Sequence, residues 1–344
     1  MAKRLYVIIG CDVDPDRASF VGKLPADMLT WRGMLEGIPR AKARLSGLVD
    51  SDGKPPVFSW CLRVDHQIAA MHGSYHHMLS HNCDFLAGLE QTGDEISWHP
   101  HFWKYDEDAG CWYQEYWDVA FQIGMLKDAH AAFQTVFPGR ARTVRMGWSF
   151  HNNHTFGTIE ELGVEVDYGA IPGFKLLPKN DRVRASNFYD SSLCEDQPFY
   201  PARADYRRNA RAGEEAFKVL EVPVFVSRSL FWGFGAAAQL ARKMRDPSQL
   251  LNGIRRPTHV INITGKPKWF APLLRRAEKL LASKDQLVFN TYLHADELIE
   301  NIHPFYSLEY MEANVRGILD IGRRIGAKIL FVRACDVKKY MKKP

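Results

Sequence analysis

Leu5-Tyr6-Val7-Ile8-Ile9-Gly10-Cys11-Asp12-Val13-Asp14 is an apolar run that ends on two carboxylates. Nothing in residues 5–10 alternates with polar side chains, so the run reads as a strand covered on both faces. Similar apolar or β-branched stretches recur at residues 57–64, 95–98, 143–147, 164–167, 220–226, 259–263, 287–293 and 328–333. Amphipathic helical patterns lie between several of them. Residues 269–283 place Phe270, Leu273, Leu274, Ala277, Leu280 and Leu281 on one stripe, and residues 307–325 do the same with Leu308, Met311, Val315, Ile318 and Leu319. Ser307 is placed to cap that helix and Gly326 to stop it. Strand and helix alternating over 344 residues predict an α/β chain with a parallel sheet. Seven to nine strands favour closure into a barrel, although the pattern does not by itself separate a barrel from an open sheet.

In either architecture functional groups gather at the carboxyl ends of strands. Asp12 and Asp14 follow the first strand, His99 and His101 of His99-Pro100-His101 the third, and His294 the eighth. In extended chain, residues i and i+2 face the same way. Asp12 and Asp14 would therefore repel one another unless a cation, an arginine or a proton neutralises one; the alternative is a turn or helix cap. His99 and His101 can meet one ion on the same logic, with Pro100 holding the backbone extended. Nitrogen and carboxylate donors suit Zn²⁺, with Fe, Co, Ni and Mn left open. His294, with Asp296 and Glu297 just beyond, suits a general acid, and Arg145 can hold a carboxylate ionised. Asp65, closing the second strand, could line the same pocket. These are the ingredients of metal-assisted hydrolysis.

Other histidines read as ordinary. His72, His76, His77 and His81 fall in one predicted helix as packing or surface residues, and His151 and His154 as surface positions. Trp98, Trp103 and Trp148, beside the candidate ligands, could wall a sugar cleft. Residues 172–213 are rich in Pro, Arg, Asp, Asn and Tyr and read as a long loop over the barrel mouth of a single domain spanning 1–344.

The bulk properties exclude some partners. A net charge of +5, with no Lys/Arg block interleaved with aromatics, gives no footprint for nucleic acid. The basic tail from Lys338 to Lys343 reads as a solvated terminus. No run approaches the ~20 apolar residues of a membrane span, and no secretory leader is visible. Six scattered cysteines without a CxxC pair fit a reducing cytoplasm.

Taken in order, these motifs resemble the polysaccharide deacetylase (NodB-homology) family over nearly the whole chain. Asp12-Val13-Asp14 stands where that family has its first aspartate motif. Gly93 to His99 is similar to its GxEIxxH motif. Arg145-Met146-Gly147-Trp148 resembles its arginine motif, Leu162 to Tyr168 its following LG…D strand, and Leu293-His294 its final LH. The sequence differs in having Asp-x-Asp for Asp-Asp, His-Pro-His for HxxxH with Trp103 at the second histidine, and Gly147-Trp148 for Pro-Tyr.

The resemblance implies a distorted (β/α) barrel of about seven to eight parallel strands and a divalent-metal-dependent N-deacetylase. Asp12 would be the general base, and Asp14, His99 and His101 the metal ligands. Arg145 would orient Asp12, the Trp148 backbone N–H would help stabilise the oxyanion, and His294 would protonate the leaving amine, with Asp296 the first candidate to support it. Without export, a small, nucleotide-linked or lipid-linked amino sugar is expected rather than a wall polymer. A deformylase or non-sugar amide hydrolase, and a sugar-binding relative without catalysis, are the alternatives.

Overall fold

The structure is a computed structural model that describes residues 3–16, 30–108, 110–176, 189–231, 257–300 and 303–341, with 235 and 238. Eight strands form one parallel sheet: β1 Arg4–Val13, β2 Ser59–Arg63, β3 Glu95–His99, β4 Thr143–Val144, β5 Val166–Asp167, β6 Leu220–Glu221, β7 Gln286–His294 and β8 Lys328–Phe331. The order runs β6-β5-β4-β3-β2-β1-β7, with β8 beside the first half of β1. After β6 the chain reaches β7 through a parallel bridge from Val224 to Asn290, backed by a 2.7 Å bond from Phe225 N to Asn290 O. The sheet thereby curls into a distorted (β/α) barrel.

Both faces of the wall are dry, which is why β1 is a continuous apolar run. Leu5, Val7, Ile9, Cys11 and Val13 face the helices outside. Tyr6 and Ile8 face inward, where Cys61, Val166, Tyr168, Leu220, Val222 and Val288 meet them. The C-terminal turn Ala334–Lys339 closes the lower end of that interior with Ala334 and Val337, and Tyr340 stacks on Tyr6 at 4.5 Å.

The outer layer includes α1 Ile38–Leu45, α2 Val119–Val136, α3 Asn153–Glu161, α4 Pro267–Ser283 and α5 Leu308–Ile325. In α5, the Ser307 side chain accepts from Tyr310 N and Gly326 takes the left-handed conformation at φ 64°, as the sequence predicts. Met311, Val315, Ile318 and Ile321 are buried on its inner stripe. Each contributes about 1.5–3 kcal/mol by leaving water.

Three expectations change. Residues 259–263 are not a sheet strand. Ser227 and His259 make one antiparallel bridge, and the carbonyls of Ile263 and Gly265 are satisfied by the Asn314 side chain, both at 2.7 Å. The predicted helix carrying His72 to His81 is two short helices, His66–His72 and His77–His81, because Gly73 turns left-handed at φ 78°. The 172–213 excursion contains two antiparallel strand pairs, Lys175–Leu176 with Tyr189–Asp190 and Pro201–Ala202 with Asp205–Asn209; its residues 177–188 lie outside the described residues.

Candidate active site

Parallel register brings the sequence-distant groups together. Asp12 on β1 lies directly opposite His294 on β7, and Arg63 on β2 opposite His99 on β3. The strand-end side chains open into a cavity of about 190 Å³ that is continuous with solvent. Asp12, Asp14, His99, His101, Arg145 and His294 line it, and Trp148, Tyr189 and Tyr292 add aromatic walls.

Asp14, His99 and His101 are all buried and offer three donor atoms within 4.8 Å of one another. Asp14 Oδ2 is 3.7 Å from His99 Nε2, and Oδ1 is 3.6 Å from His101 Nε2. The rings are fixed from behind. His99 Nδ1 donates to the Arg145 carbonyl at 2.5 Å, which turns Nε2 toward Asp14. His101 Nδ1 meets the Gln114 amide at 2.8 Å. Metal-binding histidines are normally oriented in this way through their second nitrogen. Burial raises the Asp14 carboxyl, but the hydrogen bond and charge of His99, with His101 and Arg63, outweigh it and hold Asp14 well below the usual carboxylate range. Burial, and then Arg63, push His101 well below the usual imidazole value, so it presents a neutral ring. Burial lowers His99 too, but Asp12 and Asp14 raise it overall, so an ion at this triad competes with a proton. Two imidazoles and a carboxylate fit a divalent transition ion with positions left open.

Beside the triad, Arg145 Nε pairs with Asp12 Oδ1 at 2.7 Å. Its guanidinium donates to the Tyr168 carbonyl at 2.8 Å and lies 4.4 Å from the centre of the Tyr292 ring. Burial works against the Arg145 charge, but Asp12 outweighs it. Asp12 Oδ2 faces His294 Nε2 at 3.8 Å. After Arg145 the chain bends sharply: Trp148 and Ser149 both adopt left-handed φ, 54° and 56°. Such conformations cost of order 1–3 kcal/mol each in non-glycine residues. The bend sets Trp148 against the cavity, backed by Trp103 at 5.1 Å.

Several sequence-predicted residues lie elsewhere. Trp98 is fully buried, donates to the Val64 carbonyl at 3.3 Å and packs on His130, so it belongs to the core. Asp65 is fully buried beneath the site, where it caps the helix His66–His72 and pairs with Arg63 at 2.6 Å. Asp296 turns away to His303 at 3.1 Å. The carboxylate on His294 Nδ1 is Glu297, at 3.3 Å, because a 3₁₀ turn folds residue i+3 back onto its cap. Asn262 and Thr264 hold Glu297 at 2.6 and 2.5 Å. His151 is buried against Asp167 at 2.7 Å rather than on the surface, whereas His154 is exposed. Glu297 had a legible signal, the x-x-Glu spacing of a capping box with histidine as cap. Arg63, Gln114, Asn262 and Thr264 had none.

No family model matches the chain, and no curated protein matches it in sequence. Solved structures do share the fold. One is a provisionally assigned glycoside hydrolase/deacetylase from Parabacteroides distasonis, with TM-score 0.54, 11% identity, and 99% of this chain and 73% of that one covered. Another is a provisionally assigned polysaccharide deacetylase from Mycobacterium smegmatis, with TM-score 0.50, 13% identity, and coverage of 100% and 96%. Among the described residues, no helix is long and apolar enough to cross a membrane.

Proposed function

We propose that the protein is a metal-dependent hydrolase that removes an N-acyl group, N-acetyl in the first instance, from an amino-sugar-containing substrate. The observation that carries this reading is the Asp14–His99–His101 triad flanked by two differently tethered groups, Asp12 on Arg145 and His294 on Glu297. The deacetylase assignments of both fold relatives support it.

Asp14, His99 and His101 would hold a divalent ion, zinc by donor type, which when bound supplies Lewis acidity for the amide carbonyl and acidifies water. Asp12 would accept the proton of the attacking water at Oδ2, since Arg145 occupies Oδ1. The Trp148 backbone N–H would face the developing oxyanion. His294 Nε2 would pass a proton to the leaving nitrogen, with Glu297 keeping the ring oriented through Nδ1. Trp148, Tyr189 and Tyr292 would stack on the sugar and exclude water.

The test pairs elemental analysis with product detection. Wild type should carry stoichiometric metal and release acetate from an N-acetylated amino sugar offered free, nucleotide-linked or lipid-linked. His99→Ala should lose both. Equal metal in the two proteins would remove the basis of the reading, and release of formate instead would move it to a deformylase.

A further inference from the structure

Beneath the triad lies a second arginine that the proposed chemistry does not use. Arg63 is 1% exposed, and its guanidinium reaches three side chains at once. Nε binds Asp65 Oδ2 at 2.6 Å, Nη2 binds Gln67 Oε1, and Nη1 donates to Asp14 Oδ1 at 3.4 Å. The Trp103 ring lies 5.9 Å from its carbon. A buried guanidinium is retained only when paired, and here Asp65 supplies the opposite charge. Gln67 and Asp65 together fix the plane of the fork, so its third arm is aimed at one oxygen of Asp14.

We infer that Arg63 is a positioning residue for the metal centre: by engaging Asp14 Oδ1 it fixes the plane of the carboxylate, so that its two oxygens face His101 Nε2 and His99 Nε2 across the place a divalent ion would take. This rests on the reading of the triad as a metal site. A carboxylate already held in one orientation gives up little freedom when an ion arrives, and ligating carboxylates are commonly fixed by hydrogen bonds from behind. Outer groups of this kind are worth roughly 10–100-fold in metal affinity.

The experiment compares wild type, Arg63→Lys and the double variant Arg63→Met/Asp65→Asn. In the double variant the amide oxygen introduced by Asp65→Asn keeps the cap on Ile68 N, and no carboxylate is stranded in the interior. Zinc affinity is measured by competition with a chromophoric chelator, and the visible d–d bands of Co²⁺-loaded protein report coordination number. The expected result is zinc affinity lower by about 10–100-fold in the double variant, with altered cobalt bands as Asp14 loses its fixed orientation. Arg63→Lys, which keeps the charge but not the fork, should show a smaller change in the same direction and is the variant read if the double one does not fold. Unchanged affinity and an unchanged cobalt spectrum in a folded variant would overturn the inference while leaving the metal site standing. A wild type that binds neither ion would overturn both.

Discussion

Gly147→Ala tests the site through one methyl group. Gly147 lies flat against the His101 ring, and a Cβ built on it would fall 2.3–2.4 Å from the ring's Cγ, Cδ2 and Nδ1. The shortfall from an ordinary 3.4 Å contact is about 1.1 Å. Neither side can give way cheaply. The ring is held by Gln114 at 2.8 Å and is flanked by Trp103 and Trp148, while the backbone is held by a 2.9 Å bond from Gly147 N to the Pro100 carbonyl. Overpacking of this kind costs typically ~1–3 kcal/mol of stability. Displacing a ligand by about 1 Å should lower turnover by on the order of 10². Gly157→Ala is the control, since its nearest contact would be 3.9 Å and it lies inside α3, where alanine gains ~0.5–1 kcal/mol. Zinc titration, thermal melts and acetate release on both variants supply the comparison. A Gly147→Ala protein with wild-type ion affinity and turnover would refute the placement of His101 at the working centre.

Asp12→Asn should lower turnover by on the order of 10²–10⁴ while keeping the ion; loss of metal in elemental analysis would exchange its role with that of Asp14. Glu297→Gln should cut kcat by roughly 10–100-fold with metal retained, and Asp296→Asn much less; the reverse ranking would place the tether of His294 on Asp296. Glu95 gives a pH prediction. Burial pushes its carboxyl above the ordinary 4.5 despite bonds from Thr143, Ser59 and Cys335. A raised carboxyl contributes stability in full below the unfolded value, and that contribution is lost as pH rises toward the folded one. Denaturant midpoints of Glu95→Gln should therefore gain on wild type as pH rises above 4.5, and parallel curves would contradict this.

The long strands are legible because their physics is local: β1 and β7 are largely buried on both faces, and each runs into ionisable residues at its carboxyl end. Asp12, Asp14, His99, His101, Arg145 and His294 share a strand-end placement that the sequence displays directly. What stays hidden depends on partners far along the chain. Asp65 looks like a pocket residue until Arg63 draws it beneath the floor. His151 looks exposed until Asp167 arrives from β5. The stretch 143–147 reads as a full strand, but the regular strand covers only Thr143 and Val144; Arg145 N and Gly147 N still bond to the Trp98 and Pro100 carbonyls before the strained bend at Trp148. Trp98 reads as a cleft wall but alternates outward between two inward-facing neighbours, a phase that its flanking residues do not announce.

Pairing β1 with β7 joins nearly the two ends of the chain. During synthesis the first hydrophobic strand leaves the ribosome long before β7, its partner on this side, exists, and contacts of such sequence separation form slowly. Until then an adhesive edge stays open to other nascent chains. A C-terminal deletion that removes β7 should therefore produce inclusion bodies rather than a soluble fragment, and chaperone supply should limit the yield of the intact protein.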